Sequence, residues 1–282
     1  MGVQASPALP WEENQGGVIT FSSPITEDEL LNGYVKIEID GGQDFAVFVR
    51  ENGQLVLSTT DGEHFGEVAL SSDGKSLNVN ITEGFDYSIY SVQRLASPSN
   101  DLMADPALPW SAGEGGWIKF ARGFTVADLS EGKIVIETDD ETYNPAYYEN
   151  GAFYFSNGNE LCSVNNFGYA NFQILQVDQG ARILDVRRVN SPVIYWSPAL
   201  PTVIETVSIR ANAKLTFEQW SRLQIKVGDS DWTSSQIVDN WLCWVTADGS
   251  TVSSSLQVQA DATNTITIDN DMDNQITGLR LS

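Results

Sequence analysis

The chain has 282 residues, with 38 acidic against 15 basic side chains and a formal net charge of −23. A nucleic-acid binder needs a basic footprint, and attachment to anionic lipid needs clustered Lys and Arg, so this charge excludes both partner classes. No apolar stretch approaches the length needed to span a bilayer, and the N-terminus lacks the basic and apolar regions of an ordinary secretory signal; the chain is used where it is made, leaves by another route, or has had a signal removed, and no membrane contact is expected.

In chain order, the first landmark is Pro7-Ala8-Leu9-Pro10-Trp11. Proline lacks the ladder N–H, so this segment reads as a stiff lead-in arm rather than a central strand. Gly16-Gly17-Val18-Ile19-Thr20-Phe21 follows, then a Thr26-x-x-Glu29 capping box with room for about one helical turn. Tyr34–Ile39, Phe45–Val49, Leu55–Leu57 and Leu77-Val79-Ile81 alternate apolar and polar residues, the mark of half-buried strands. Asn52-Gly53, Asp61-Gly62 and Asp73-Gly74 tolerate positive φ and suit tight turns between them. Val92–Leu95 closes the segment with an apolar stretch carrying Arg94.

The pattern then returns. Pro106-Ala107-Leu108-Pro109-Trp110 repeats the arm, Gly115-Gly116-Trp117-Ile118-Lys119-Phe120 the strand, Thr125-x-x-Asp128 the cap, and Gly132–Thr138 the next strand. Glu149-Asn150-Gly151 matches Glu51-Asn52-Gly53, and Val186–Val189 matches the closing strand. A third, diverged copy opens at Pro198-Ala199-Leu200-Pro201 without the Trp. It continues through Thr216-x-x-Gln219, Leu223–Val227, Asp248-Gly249 (read as the counterpart of Asn52-Gly53), Ile266-Ile268 and Leu279–Leu281. Offsets of this size fit whole small domains. The fold class expected is all-β: three tandem antiparallel, Ig-like β-sandwich domains over residues 1–97, 98–191 and 192–282.

Acidity is spread over all three copies, which by charge count carry −11, −7 and −5. The two cysteines, Cys162 and Cys243, fall at non-matching places, so a disulfide framework repeating with the domain is not expected; buried thiols are. His64 is the only histidine and sits in a turn-like Asp61–Gly66 segment, with no partner His for zinc and no nucleophile elbow in the chain. Asp269–Asn274 begins like a calcium loop but lacks the sixth-position Gly and has Arg280 where the bidentate Glu belongs; it and the Asp229/Asp231 pair read as solvated turns. No catalytic residue, metal ligand or cofactor is expected.

The aromatics are the candidate interface. Tyr143, Tyr147, Tyr148, Phe153, Tyr154 and Phe155 crowd into copy two, and Trp220, Trp232, Trp241 and Trp244 into copy three. Alternation buries about half of each group, and any exposed remainder makes a protein or sugar contact surface. Tyr147, Tyr148, Trp232 and Trp241 are the candidates there. Trp11 and Trp110 have two readings: plugs that fix each arm to its own domain, or platforms that stack on carbohydrate.

The order of Leu215–Trp220, Leu223–Val227, Trp241–Gly249, Asn264–Asp269 and Ile276–Leu281 resembles a small β-sandwich module of bacteriophage fibre and virion accessory proteins. Phe124–Leu129 followed by Gly132 is the best copy of its first element, whereas Ser221-Arg222-Leu223 has no glycine there. The resemblance implies a non-enzymatic virion structural protein made in the host cytoplasm: a head decoration protein or short head fibre that binds the major capsid protein or other virion proteins. A tail-tube or baseplate part, and an adhesin module for host-surface glycan, are the alternatives.

Overall fold

Alternation does become half-buried strand. In Val35–Ile39 the side chains of Val35, Ile37 and Ile39 are buried while Lys36 and Glu38 are only partly covered, and Ser76–Ile81 buries Leu77, Val79 and Ile81 in the same way. A computed structural model describes residues 2–82, 86–139, 145–155, 158–177, 180–203, 206–257, 263–270 and 275–282. Tyr143 and the Asp271–Asn274 part of the calcium-like run lie outside them. The fold is all-β, with antiparallel sheets and, among the described residues, three α-helices of one turn or little more and a 3-10 turn at Asp40–Gly42.

The chain forms two compact units. One comprises Met1–Leu108, Glu114–Val126 and Val164–Gln176; the other comprises Pro109–Gly113, Ala127–Ser163 and Val177–Ser282. The middle repeat therefore contributes chain to both.

In the first unit, repeat one is a single antiparallel sheet of eight strands in the order Val3–Ser6, Gly16–Phe21, Ser76–Ile81, His64–Leu70, Gln54–Thr59, Asp44–Glu51, Val35–Ile39, Ile89–Arg94. Two separate sheets are the expectation from sequence. The ladder stays continuous because Val35–Ile39 pairs on both sides, with Asp44–Glu51 and with Ile89–Arg94. The core includes Trp11, Ile19, Phe21, Ile37, Phe48, Leu57, Phe65 and Leu77, and each such apolar side chain contributes roughly 1.5–3 kcal/mol when fully buried. The same unit holds the strands Leu102–Asp105 and Gly116–Phe120 of repeat two and all but the last residue of Asn171–Val177, around a cluster of Phe120, Phe124 and Phe172 with ring centroids 5.0–5.8 Å apart.

In the second unit, Ala146–Glu149 pairs with Ala152–Phe155 and Ile134–Thr138 with Ile183–Arg188. Repeat three has a six-stranded sheet, ordered Ile194–Ser197, Thr206–Leu215, Thr263–Asn270, Thr251–Gln257, Trp241–Val245, Gln236–Val238. A three-stranded one is ordered Thr233–Ser234, Leu223–Val227, Ile276–Leu281. Its core gathers Ile209, Leu215, Trp220, Ile225, Trp244 and Ile268.

The short helices sit where the capping boxes place them. Thr26 accepts from the Glu29 N–H while the Glu29 carboxylate accepts from the Thr26 N–H, and Thr216 and Gln219 do the same. The hairpins correct one assignment. Thr246 and Asp248 form the same side-chain hydrogen bond as Thr59 and Asp61, and Thr246 N–H donates to Ser250 O as Thr59 N–H does to Glu63 O. Asp248-Gly249 is therefore the counterpart of Asp61-Gly62. The counterpart of Asn52-Gly53 and Asn150-Gly151 is Asp239-Asn240, both at positive φ, in the two-residue turn between Val238 and Trp241.

Candidate interaction surfaces

The lead-in arm ends in the same bond pair in every repeat. Trp11 N–H donates to Ile89 O and Ile89 N–H to Trp11 O; Trp110 and Ile183 exchange the same two bonds, and so do Thr202 and Ile276. Before each arm lies a short strand that the sequence analysis missed: Val3–Ser6, Leu102–Asp105 and Ile194–Ser197, each paired antiparallel with the first long strand of its repeat.

Trp11 is 0% exposed and Trp110 is 1% exposed. Both are withdrawn from the candidate interface, and neither presents a face on which sugar can stack. The Trp11 indole N–H donates to Pro7 O at 2.9 Å, and its ring lies where a side chain at Gly17 would stand, 2.6 Å from that missing Cβ. Gly17 is thus what lets the ring enter. Register places Val207 of repeat three at the position of Gly17, and Thr202 stands where Trp11 does. The large-over-small pair has become a small-and-medium pair.

A second correspondence joins helix to closing strand. Arg94 Nη2 lies 2.7 Å from Glu29 Oε1, and Arg188 Nη2 lies 3.4 Å from Asp128 Oδ2, with both guanidinium groups nearly buried. The Arg94 hydrogen bond, followed by that from the Thr26 N–H, holds the Glu29 carboxyl below its usual range. In repeat three both members are gone together: Gln219 stands for the carboxylate and Leu281, which pairs with Leu223 as Arg94 pairs with Val35, for the arginine. Loss of one member alone would leave a poorly solvated charge, which costs more than the intact pair contributes.

Successive repeats meet through one recurring joint. In the first unit, Asp44–Glu51 packs against Gly116–Phe120, Lys119 Nζ bonds Asp44 Oδ2 at 2.7 Å, and the Arg122 side chain occupies the place of a Cβ on Gly33. In the second unit, Ala146–Glu149 packs against Thr206–Leu215, Lys214 Nζ bonds Glu149 at 2.9 Å, and Ala213 takes the corresponding place over Gly132. Gly33 and Gly132 have φ of +76° and +69°, so each supplies both a left-handed turn and a surface bare enough for the neighbour. Asn212, 1% exposed, completes the second joint: its amide donates to Gly132 O at 2.5 Å and Ile134 O at 3.1 Å, and accepts from Val193 N–H at 2.6 Å.

The other candidates divide. Tyr147 is 7% exposed and packs within that joint, with the Lys214 ammonium 5.3 Å from its ring centroid, so it serves contact between repeats rather than an outside partner. Tyr148 is half-buried, edge-on to Phe153. Burial pushes both phenols up. Trp232 is half-buried between Gly278, whose missing Cβ makes room for it, and the Arg280 guanidinium 4.2 Å from its ring centroid. Trp241 is 38% exposed, at the tip of a hairpin whose partner strand carries Ile237 and Val238, also exposed.

His64 Nδ1 lies 2.6 Å from Glu51 Oε2, and its ring stacks on Tyr169 at 6.0 Å. Gly168 and Ala170 approach Thr60 beside it, which makes this turn a second contact between repeats one and two inside the first unit. Cys162 and Cys243 are buried, and no disulfide joins them. A groove of about 800 Å³ on repeat one is lined by Val56, Glu67, Ala69, Asn78, Asn80 and Val18 among others. Among the described residues no group of three or more His, Cys, Asp or Glu is placed to hold a metal ion, and no helix is long and apolar enough to cross a membrane.

No family model, curated protein or solved structure matches the chain.

Proposed function

We propose that this chain is a bacteriophage virion structural protein without enzymatic activity, a head decoration protein or short head fibre built from three tandem Ig-like β-sandwich repeats. Its partner on this reading is the major capsid protein. The observation that carries the proposal is the joint built twice, Gly33 with Arg122 and Gly132 with Ala213, which joins one repeat to the next in the same way each time. Aromatic residues that an asymmetric ligand site could have used go instead into fixing arms and joints, as Trp11, Trp110 and Tyr147 do. Repeated modules give repeated weak contacts, and a lattice of identical subunits turns these into avidity and into stabilisation by linkage. The glycan-binding alternative rested on Trp11 and Trp110 facing water, and their burial removes that support.

The test is co-sedimentation of the purified chain with heads of the phage that encodes it, at low and high salt. Saturation at a fixed ratio to the major capsid protein is the expected result. Heads that pellet without the protein at every concentration refute the reading.

A further inference from the structure

The joint that recurs between repeats has a counterpart surface on repeat three that nothing in the described chain covers. In repeats one and two the strands Asp44–Glu51 and Ala146–Glu149 are packed against the next repeat. Phe45 and Val47, which alternate with the core residues Ala46 and Phe48, are themselves 2% exposed. In repeat three the strand is broken into Thr233–Ser234 and Gln236–Val238, and by hairpin register Gln236–Val238 stands where Val49–Glu51 and Tyr147–Glu149 stand. It is the outermost strand of its sheet, and all three residues are exposed. Val238 is 45%, Trp241 38% and Val245 40% exposed on the outward side of this hairpin, and Ile237 is 51% exposed at its rim. Val238 and Trp241 stand where Glu51 and Gln54 stand in repeat one, and Glu149 and Ala152 in repeat two. A hairpin end that carries a glutamate in repeats one and two has become apolar where it meets water. An unpaired apolar edge strand is a template for pairing with another chain.

Repeat three cannot take a further repeat through the same joint. The turn that holds Gly33 and Gly132 is two residues shorter here, counted from Thr216 to Leu223 against Thr26 to Val35, and has no glycine. The Ser221 carbonyl, at the place of Gly132 O, already accepts from Ser235 Oγ of its own repeat at 2.5 Å. A different geometry must cover the edge. Residues 232–247 contain one charged side chain, Asp239. In a chain of net charge −23 this is a surface on which two copies can meet without strong repulsion.

We infer that Gln236–Val238 pairs antiparallel with the same strand of a second copy of this chain, about a two-fold axis through Ile237. Val238 and Trp241 close a two-residue turn and form a hydrogen-bonded pair, so the Ile237 N–H and C=O point to the free edge. Two copies then exchange two hydrogen bonds at Ile237, join their six-stranded sheets, and set Val238 of each opposite Gln236 and diagonal to Val238 of the other, with Trp241 one strand behind on the same face. Such an isologous contact closes on itself and yields a dimer rather than a fibre.

Sedimentation velocity over a concentration series tests the inference, with Val238→Lys, Trp241→Glu and Ile237→Cys beside the parent chain. The expected result is a species of twice the 30.9 kDa chain mass. Val238→Lys and Trp241→Glu, at exposed positions with unchanged melting, weaken it roughly tenfold or more by placing like charges on the shared apolar edge. Ile237→Cys forms a covalent dimer on mild oxidation, because an antiparallel pair sets the two Cα atoms about 5.5 Å apart. A monomer at all concentrations overturns the inference. So does a mass that keeps growing past the dimer, which means head-to-tail addition, or a dimer indifferent to Val238→Lys. If Trp241→Glu unfolds the chain, Val238→Lys and the Ile237→Cys cross-link still decide.

Discussion

Substitution of Gly132 by alanine isolates the energetics of the joint. The new methyl group meets two separate penalties. At φ +69° an L residue is left-handed, which costs roughly 1–2 kcal/mol. The added Cβ also lands 2.5 Å from Ala213 Cβ and 3.0 Å from Asn212 O, and overpacking of that kind costs roughly 1–3 kcal/mol. Gly151→Ala is the control, because Gly151 has φ +85° and nothing within 4 Å of the added carbon. Both positions lie in the second unit, and the smaller unfolded-state entropy of alanine cancels between them. Gly132→Ala is therefore expected to destabilise by about 1–3 kcal/mol more than Gly151→Ala. Urea unfolding followed by tryptophan fluorescence reads this difference, and Ala213→Gly in the Gly132→Ala background should recover most of it. Equal losses at the two glycines, within about 0.5 kcal/mol, or a double variant no better than the single, would refute the account of the joint as a steric fit.

Further outcomes follow from the arm, the ion pair and the surface. Trp11→Ala should cost about 3–5 kcal/mol in chemical denaturation, since it empties a fully buried site. Arg94→Leu alone should lose about 1–3 kcal/mol by leaving Glu29 without its guanidinium, whereas adding Glu29→Gln, which reproduces the Gln219 and Leu281 of repeat three, should restore most of it in a double-mutant cycle. Because the folded state holds the Glu29 carboxyl below its ordinary value of 4.5, its contribution is present above that pH and is lost as pH falls through the lower folded value. The melting-temperature gap between the parent chain and Glu29→Gln should accordingly be open at pH 7 and close on acidification below about 4.5. Lys214→Ala breaks a pair in which both side chains are 42% exposed, and should change stability by less than about 1 kcal/mol at physiological salt.

Much of the local structure is legible in the sequence because its signals are short-range. Thr26 with Glu29 and Thr216 with Gln219 announce their own helix starts, and the alternation in Val35–Ile39 and Ser76–Ile81 fixes which face is buried. What escapes depends on partners distant in sequence. The strands Val3–Ser6, Leu102–Asp105 and Ile194–Ser197 are four residues each, too short for a period to show, and exist because a longer strand pairs with them. The turn at Asp239-Asn240 lacks glycine, so the stronger Asp248-Gly249 signal draws the alignment to the wrong hairpin. Trp11 reads as a plug first and a platform second, and Gly17 beneath its ring decides for the plug. Of the candidate interface, the sequence could name Trp241 as aromatic. Only the strand order shows that its hairpin ends the sheet.

The exchange of Trp11 with Gly17 for Thr202 with Val207 also dictates an order of events. If the repeats descend from one ancestor of the Trp-and-Gly type, two single steps lead to the present third copy. Valine first would drive a branched side chain into an indole that already lies 2.6 Å from the bare position. Threonine first would leave a hole, which a protein with stability to spare survives. The passable route runs through the cavity, and the valine then also requires the Ser6 carbonyl, 2.4 Å from the bare position, to give way. The third copy has changed both letters while Val207 stays buried, and a comparison scoring positions one at a time records two separate losses where the packing records one linked change.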